Sequence, residues 1–463
     1  MNNLNSSQDT NKQVSELSET NISISEKRTT NSTSFTKKDI ENLGNKVRVT
    51  DTDGNLELFC YTKCSPDDSD LLKKCRGVVF NGEEIVMQAF PYTIEISETE
   101  KDEINEKIDT EKCIFFDSHE GALIRMFHFN NKWYISTHRK LNAFRSKWAC
   151  KESFGTMFKK ALIHLEETNK EFKKRVGDGE DNVLTRFQNT LDKGKQYMFL
   201  VRHSQNNRIV CQAPEHNTVY HVGTFVDGKL NFDENICIPY PSRHYFSDTE
   251  ELIECVKNSD ITSIQGIICF SEGMNQIKIL NKEYVNLFKV RGNEPSIKFR
   301  YLQVRMKQNE MSALNYLYPE MTEQFDDIEN MLYSIARNIY NAYVQRFIKK
   351  KFVTMPTEDY IVMRECHTWH EQDRVNNRIS MEKVISVMNL QKPTSLNRML
   401  RRYKNQLYEQ KKVEQVNKQR ARSSTTSSES SPTTDGKIVG LPFTSPLVIP
   451  QQPSLFPNEE FSV

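Results

Sequence analysis

The sequence predicts an α+β protein: antiparallel hairpins through roughly the first two thirds of its folded part and helices in the last third. Three observations carry this reading. Short β-like runs alternate with Asn-Gly, Asn-Asn and Asp-Gly turn signals as far as Arg300, and the spacing of apolar residues then changes to steps of three and four. The third is bulk composition, 37% hydrophobic and 27% charged over 463 residues, which suits a soluble protein with two or three folded units.

Residues 1–39 are rich in Asn, Ser, Thr, Lys and Glu and nearly free of aromatics. Such a stretch cannot bury enough apolar surface to offset the entropy of ordering, and it predicts a disordered arm. The hairpins follow. "GVVFNGEEIVMQAF" sets Asn81-Gly82 between two apolar runs, "ALIRMFHFNNKWYIST" does the same with Asn130-Asn131, and "VGTFVDGKLNF" with Asp227-Gly228. These residues supply the positive φ angles of two-residue turns. In "KESFGTMFKKALIHLEETNKEFKKRV", Phe154, Phe158, Leu162 and Leu165 recur at helical spacing.

Beyond residue 305 the pattern is helical. Ile328, Leu332, Ile335, Ile339 and Ala342 form one apolar stripe ahead of the basic "RFIKKKF", and "MEKVISVMNL" and "SLNRMLRRYKNQLYEQKKVEQV" read as further helices. A helical domain is expected over 306–422. The Ser-, Thr- and Pro-rich residues 423–463 predict a disordered low-complexity tail.

The formal net charge is +1, so any binding of nucleic acid must come from local patches. Ten cysteines without paired short spacings, and no secretory signal or long apolar run, predict a reducing, intracellular setting, with no membrane partner. Cys60, Cys64 and Cys75 lie near one another, but buried thiols account for them better than a metal site.

Residues 74–305 carry an upstream Arg-Gly segment followed by five weak motifs in one order. "KKCRGVVFNGEEIVMQAF" holds Arg76 and Gly77, "SHEGALIRMF" holds Ser118, Glu120 and Gly121, and "ISTHRK" holds Ser136, Arg139 and Lys140. "YMFLVRHSQNNRIVCQ" holds Phe199, Asn207, Arg208, Ile209 and Val210, "IQGIICF" holds Gly266, and "IKILNKEYVNLFKVRG" holds Lys278 and Tyr284. The set resembles the covalent nucleotidyltransferases, specifically the bacteriophage-type RNA ligases and their relatives in large DNA viruses. The resemblance implies a nucleotidyltransferase (ATP-grasp-like ligase) domain over 40–305. It also implies nucleotide contacts from Arg76 and Lys278, a purine stacked on Phe199, and ATP with Mg²⁺ as cofactors if the site is active.

The departures gather at the chemistry. The family's nucleophilic lysine is Ser118, its fourth-motif Glu is Gln265, its third-motif acid is Leu200 or Val201, and the second lysine of its fifth motif is Leu280. A serine hydroxyl has no amine with which to form a phosphoramidate. Lost carboxylates remove metal ligands and orienting groups as well. Lys112, Lys132 and Lys140 are the nearby lysines that could replace the nucleophile, and Lys112 and Lys132 read as solvated surface residues. The expected function is a catalytically degenerate, RNA ligase-like viral protein that binds RNA or single-stranded nucleic acid in the cytoplasm or the virion. The alternatives are an active ligase with an atypical nucleophile and a virion or protein-interaction component.

Two stretches have the composition of a nucleic-acid surface. "STHRKLNAFRSKWACK" interleaves Arg139, Lys140, Arg145 and Lys147 with Phe144 and Trp148; the alternative reading is a helix start with a buried Phe and Trp and a solvated basic face. The run from Arg398 to Arg422, with Arg401 and Arg402 near its start, holds nine Lys or Arg against two Glu. "CHTWH" spaces Cys366, His367 and His370 along a helix without a fourth ligand, and packing is its expected role.

Overall fold

A computed structural model describes residues 35–88, 90–204, 209–271 and 275–424. Most of the expected arm and tail, together with the motif residues Asn207 and Arg208, lie outside the described residues. At the arm's boundary the chain is ordered: Thr36 caps helix α1 (Lys37–Glu41) through a reciprocal pair with Asp39, and Ile40 is buried. Residues through Met399 form one compact unit, and a second begins at Leu400.

Among the described residues, fourteen strands run in chain order as β1 (Val47–Asp53), β2 (Leu56–Tyr61), β3 (Arg76–Asn81), β4 (Glu84–Met87), β5 (Ile94–Ser97), β6 (Ile114–Ser118), β7 (Ala122–Phe129), β8 (Lys132–Ser136), β9 (Gln196–Arg202), β10 (Thr218–Val226), β11 (Lys229–Asn231), β12 (Arg243–His244), β13 (Gly266–Phe270) and β14 (Gln276–Leu280). They make three sheets, ordered β1-β2-β3-β4, β11-β10-β9-β7-β8 and β12-β6-β13-β14-β5. All pairings are antiparallel except β14 with β5.

The turn chemistry explains two of the expected hairpins directly. Asn130 and Asn131 have φ of 46° and 58° between β7 and β8, and Asp227 and Gly228 have 49° and 78° between β10 and β11. The third turn sits one residue later than the sequence suggests. Asn81 pairs with Glu84, so the turn is Gly82-Glu83, with the positive φ on Gly82.

Among the described residues, seven helices accompany the strands: α1, α2 (Asp70–Lys74), α3 (Lys101–Lys107), α4 (Phe154–Thr168), α5 (Lys170–Val176), α6 (Val183–Asn189) and α7 (Thr249–Lys257). The middle sheet buries alternate residues on opposite faces, the period of two that a pleated strand imposes. Ile124, Tyr197, Phe199 and Val201 pack on Phe158, Leu162, Phe172 and Phe187 of α4, α5 and α6. Phe127, Met198 and Phe225 point the other way, against Leu58 and Val79 of the first sheet and Phe116 and Phe270 of the third. Behind the third sheet, Ile267 and Ile279 meet Ile104 of α3 and Leu252 and Val256 of α7. Each such side chain contributes about 1.5–3 kcal/mol by leaving water, which makes the strand parity expensive to slip.

After β14 the described chain is helical: α8 (Lys282–Arg291), α9 (Ile297–Val304), α10 (Gln308–Leu317), α11 (Thr322–Tyr343), α12 (Thr357–Gln372), α13 (Met381–Asn389) and α14 (Pro393–Ser424). The expected stripe on α11 is buried at Ile328, Leu332, Ile335 and Ile339 and half-buried at Ala342. The architecture is therefore α+β, antiparallel sheets followed by a helical region. No helix among the described residues is long and apolar enough to cross a membrane.

Candidate functional site

Strand parity decides what faces the space between the middle and third sheets. On β6, Phe115 packs behind the sheet, so Phe116 and Ser118 face inward. On β14, Ile277 and Ile279 are outward, leaving Lys278 and Leu280 inward. On β9, Phe199 and Val201 lie on the helix side, so Leu200 is the residue of that motif on the inner face. Gly121 and Gly266 let the backbones close up: a Cβ on Gly121 would sit 2.7 Å from the Val201 carbonyl oxygen, and one on Gly266 2.1 Å from that of Ile279.

A buried hydrogen-bond network ties the motif residues together. Ser118 Oγ donates to Gln265 Oε1 at 3.0 Å, and Lys278 Nζ donates to the same oxygen at 3.0 Å. Gln265 Nε2 donates to the Tyr284 hydroxyl at 2.6 Å, which donates in turn to Glu120 Oε1 at 3.0 Å. The Glu120 carboxylate also accepts the backbone N–H groups of Ile209 and Val210, both at 2.8 Å. A buried carboxylate must be hydrogen-bonded, and these three donors fill most of its acceptor sites.

Lys278 brings a basic group to this network. Burial pulls its pKa below the ordinary lysine value, opposed by Glu95 3.6 Å away and reinforced by Arg76. Arg76 itself donates to the Pro91 carbonyl at 3.3 Å and to Thr93 Oγ1 at 3.1 Å. Beside Ser118, the His119 ring stacks on Tyr220 at 4.8 Å with an interplanar angle of 3°, and its Nδ1 lies 3.2 Å from the Ser263 carbonyl oxygen. Burial, then Arg202, lowers the His119 pKa.

Several expected residues stand elsewhere. Phe199 is a correction: it is 0% exposed, its ring packed on Phe158, Phe187 and His221, so it offers no face to a purine. Its position on β9 points it to the helix side, and the aromatic pair in the pocket region is His119 with Tyr220. The stretch 139–148 is also not a helix start. It is a loop with one 3₁₀ turn, Ala143–Arg145, and α4 begins at Phe154.

In that loop Arg139, Arg145 and Lys147 are exposed, and Lys140 lies 3.5 Å from Asp51. Phe144 is 42% exposed with its ring against Gly155, and Trp148 faces the Arg291 guanidinium at 5.9 Å. Lys112 and Lys132 pair with Asp109 at 2.6 Å and Asp53 at 2.7 Å. Arg401 and Arg402 lie on the part of α14 that belongs to the second unit, Arg401 exposed and Arg402 half-buried. Cys60, Cys75 and Cys366 are buried free thiols, and among the described residues no group of three His, Cys, Asp or Glu could hold a metal ion.

Sequence reasoning missed His119, Tyr220, Glu95 and Arg125. Arg125 is wholly buried, donating to the Gly77 carbonyl and, at 2.7 Å, to that of Thr137; burial pushes its pKa down to about 9. It ties the start of β3, where Arg76 sits, to the loop before Arg139. No local signal marks it, because its partners are backbone carbonyls distant in sequence.

No family model matches the chain. Over 351 residues it is 29% identical to the immediate-early protein ICP-46 homolog of Invertebrate iridescent virus 3, spanning 73% of this chain and 75% of that one. Frog virus 3 (isolate Goorha) immediate-early protein ICP-46 is 23% identical over 267 residues, 55% of this chain and 64% of that one. Among solved structures, a putative ATP-dependent DNA ligase from Aquifex aeolicus matches with a TM-score of 0.35 and 14% identity, covering 72% of this chain and 86% of that one. An archaeal ATP-dependent RNA ligase matches with a TM-score of 0.37 and 12% identity, covering 63% and 78%. The ICP-46 homolog of Invertebrate iridescent virus 6 is 30% identical over 337 residues, 69% of this chain and 72% of that one. On that extent of likeness, the chain belongs to the family of immediate-early protein ICP-46 homologs of the iridescent viruses.

Proposed function

We propose that this is a nucleotide-binding, RNA ligase-like protein whose covalent chemistry at position 118 is lost and which holds RNA or single-stranded nucleic acid. The observation that carries the reading is the bond between Ser118 and Gln265. The two positions where the ligase motifs place a lysine and a glutamate are in contact here, and both are neutral. Replacing one alone would strand a buried charge; replacing both leaves an ordinary hydrogen bond.

The Ser118 hydroxyl donates to the Gln265 amide oxygen, and no carboxylate or imidazole accepts from it among its hydrogen-bond partners in the described residues. Arg76 and Lys278 suit the phosphates of a nucleotide. A divalent metal fits the carboxylates poorly. Glu120 already accepts two N–H groups and a hydroxyl, and Glu95 is drawn to Lys278. Nucleic acid is assigned to the exposed Arg139, Arg145 and Lys147 beside Phe144.

One observation favours a second reading, an active ligase with an atypical nucleophile. The Lys278 amine shares the Gln265 oxygen with Ser118, and burial favours its neutral form. Calorimetric titration with ATP, alongside intact-mass analysis after incubation with ATP and Mg²⁺ or Mn²⁺, separates the two. Binding weakened by R76A and K278A, without an added AMP, is the expected result. An AMP adduct mapped to Lys278 would establish the second reading, and no ATP binding by the folded protein would sink both.

A further inference from the structure

The helical region carries a surface that the pocket does not use. Helix α11 ends at Tyr343 and the chain continues as one π-helical turn, Val344–Ile348. Such a turn takes one more residue than an α-helical one, so the register of the buried stripe is broken within it and the helix ends there. Ile348 is 66% exposed, and in the non-helical stretch that follows Phe352 is 91% exposed, with Lys349, Lys350 and Lys351 exposed between them. The Arg346 guanidinium lies 5.8 Å from the centre of the Phe347 ring and 5.6 Å from that of Tyr360 on α12. None of these four cations forms an ion pair with a carboxylate among the described residues.

A solvated run of lysines requires neither an isoleucine nor a phenylalanine in water beside it, and leaving both uncovered forgoes their burial. We infer that residues 346–352, with Tyr360, form a binding site for single-stranded nucleic acid, the lysines on phosphates and Phe352 stacked on an unpaired base. Cations interleaved with rings match both halves of such a ligand, its charged backbone and its flat bases. A bilayer surface also attracts cations and apolar groups, but an interfacial anchor is an amphipathic helix with one apolar face. Lys349 to Pro356 is not helical, and its cations and apolar residues are not sorted onto two faces of a helix. This site adds a second contact to the RNA-binding part of the proposed function and is independent of the nucleotide pocket.

The test is fluorescence anisotropy of the full chain with a labelled oligouridylate across a salt series. The triple variant K349A/K350A/K351A is expected to lower the slope of log affinity against log salt by about 2, from about 0.7 for each phosphate contact on a single strand. F352A is expected to weaken binding about tenfold with the slope unchanged, as for a lost stack. The triple arginine variant K349R/K350R/K351R should keep the wild-type slope, which separates charge from any structural effect. Wild-type affinity in both the alanine triple and F352A, with binding lost in R145A/K147A, would overturn this site and leave the loop reading standing. No binding by the wild type would overturn both, leaving the pocket to its own ATP titration. Loss of binding to phosphatidylserine vesicles in F352A with RNA binding unchanged would give the surface to a membrane and overturn the inference.

Discussion

Ser118 and Gln265 share a buried hydrogen bond of 3.0 Å whose acceptor, Gln265 Oε1, also receives Lys278 at 3.0 Å. Putting lysine at position 118 alone would place a second cation beside Lys278 with no new acid. S118K should therefore cost about 3 kcal/mol, and S118K/Q265E should recover at least half of it. Urea unfolding of the four proteins of the cycle measures this coupling, and purely additive losses would show that the two positions do not act as a pair.

Gly266 has the tightest backbone approach in the pocket. Its φ is 141°, and a Cβ there would lie 2.1 Å from the Ile279 carbonyl oxygen. G266A must separate β13 from β14 and should cost about 3 kcal/mol, combining backbone strain with overpacking. Gly44, where an added Cβ would meet nothing within 4 Å, is the comparison: with φ at 57°, G44A carries only the strain of a left-handed alanine. Thermal denaturation should rank G266A well below G44A.

Phe199 is packed in the core and offers no face to the proposed nucleotide. F199L should lower stability by about 1 kcal/mol and leave ATP affinity unchanged in the folded fraction. A selective loss of ATP affinity at unchanged stability would return the ring to the pocket.

His221 makes stability depend on acid. Its ring is fully buried, and Nε2 lies 2.8 Å from Thr224 Oγ1 and 3.1 Å from the Gly223 oxygen. Burial pushes its pKa from 6.5 down to about 4. Between those values the unfolded chain takes up a proton that the folded one refuses. The contribution is thus complete above pH 6.5 and is lost as pH falls toward 4, about 3 kcal/mol over the window. H221Q should flatten the curve of unfolding free energy against pH in that range; an unchanged slope would place the titration elsewhere.

The paired turn residues Asn130-Asn131 and Asp227-Gly228 announced two hairpins, because positive φ is a property of those residues and not of their surroundings. The stripe on α11 was legible for a similar reason: helical spacing on one face says which residues must leave water. The Gly82-Glu83 turn fell one residue from its expected place because the pairing of Asn81 with Glu84 extends β3 through the asparagine.

At the candidate site the sequence by itself determined which chemical groups are present: the Ser118 hydroxyl, the Gln265 amide, the Lys278 amine and the Glu120 carboxylate. Only the tertiary structure decided that Ser118, Gln265 and Lys278 meet at one oxygen, that Phe199 faces the helices and Leu200 the inner side, and that Arg125 is buried on two carbonyls. Composition and local spacing are read along the chain, whereas these relationships depend on strand order and pleat parity across sheets, which bring together residues as much as 160 positions apart.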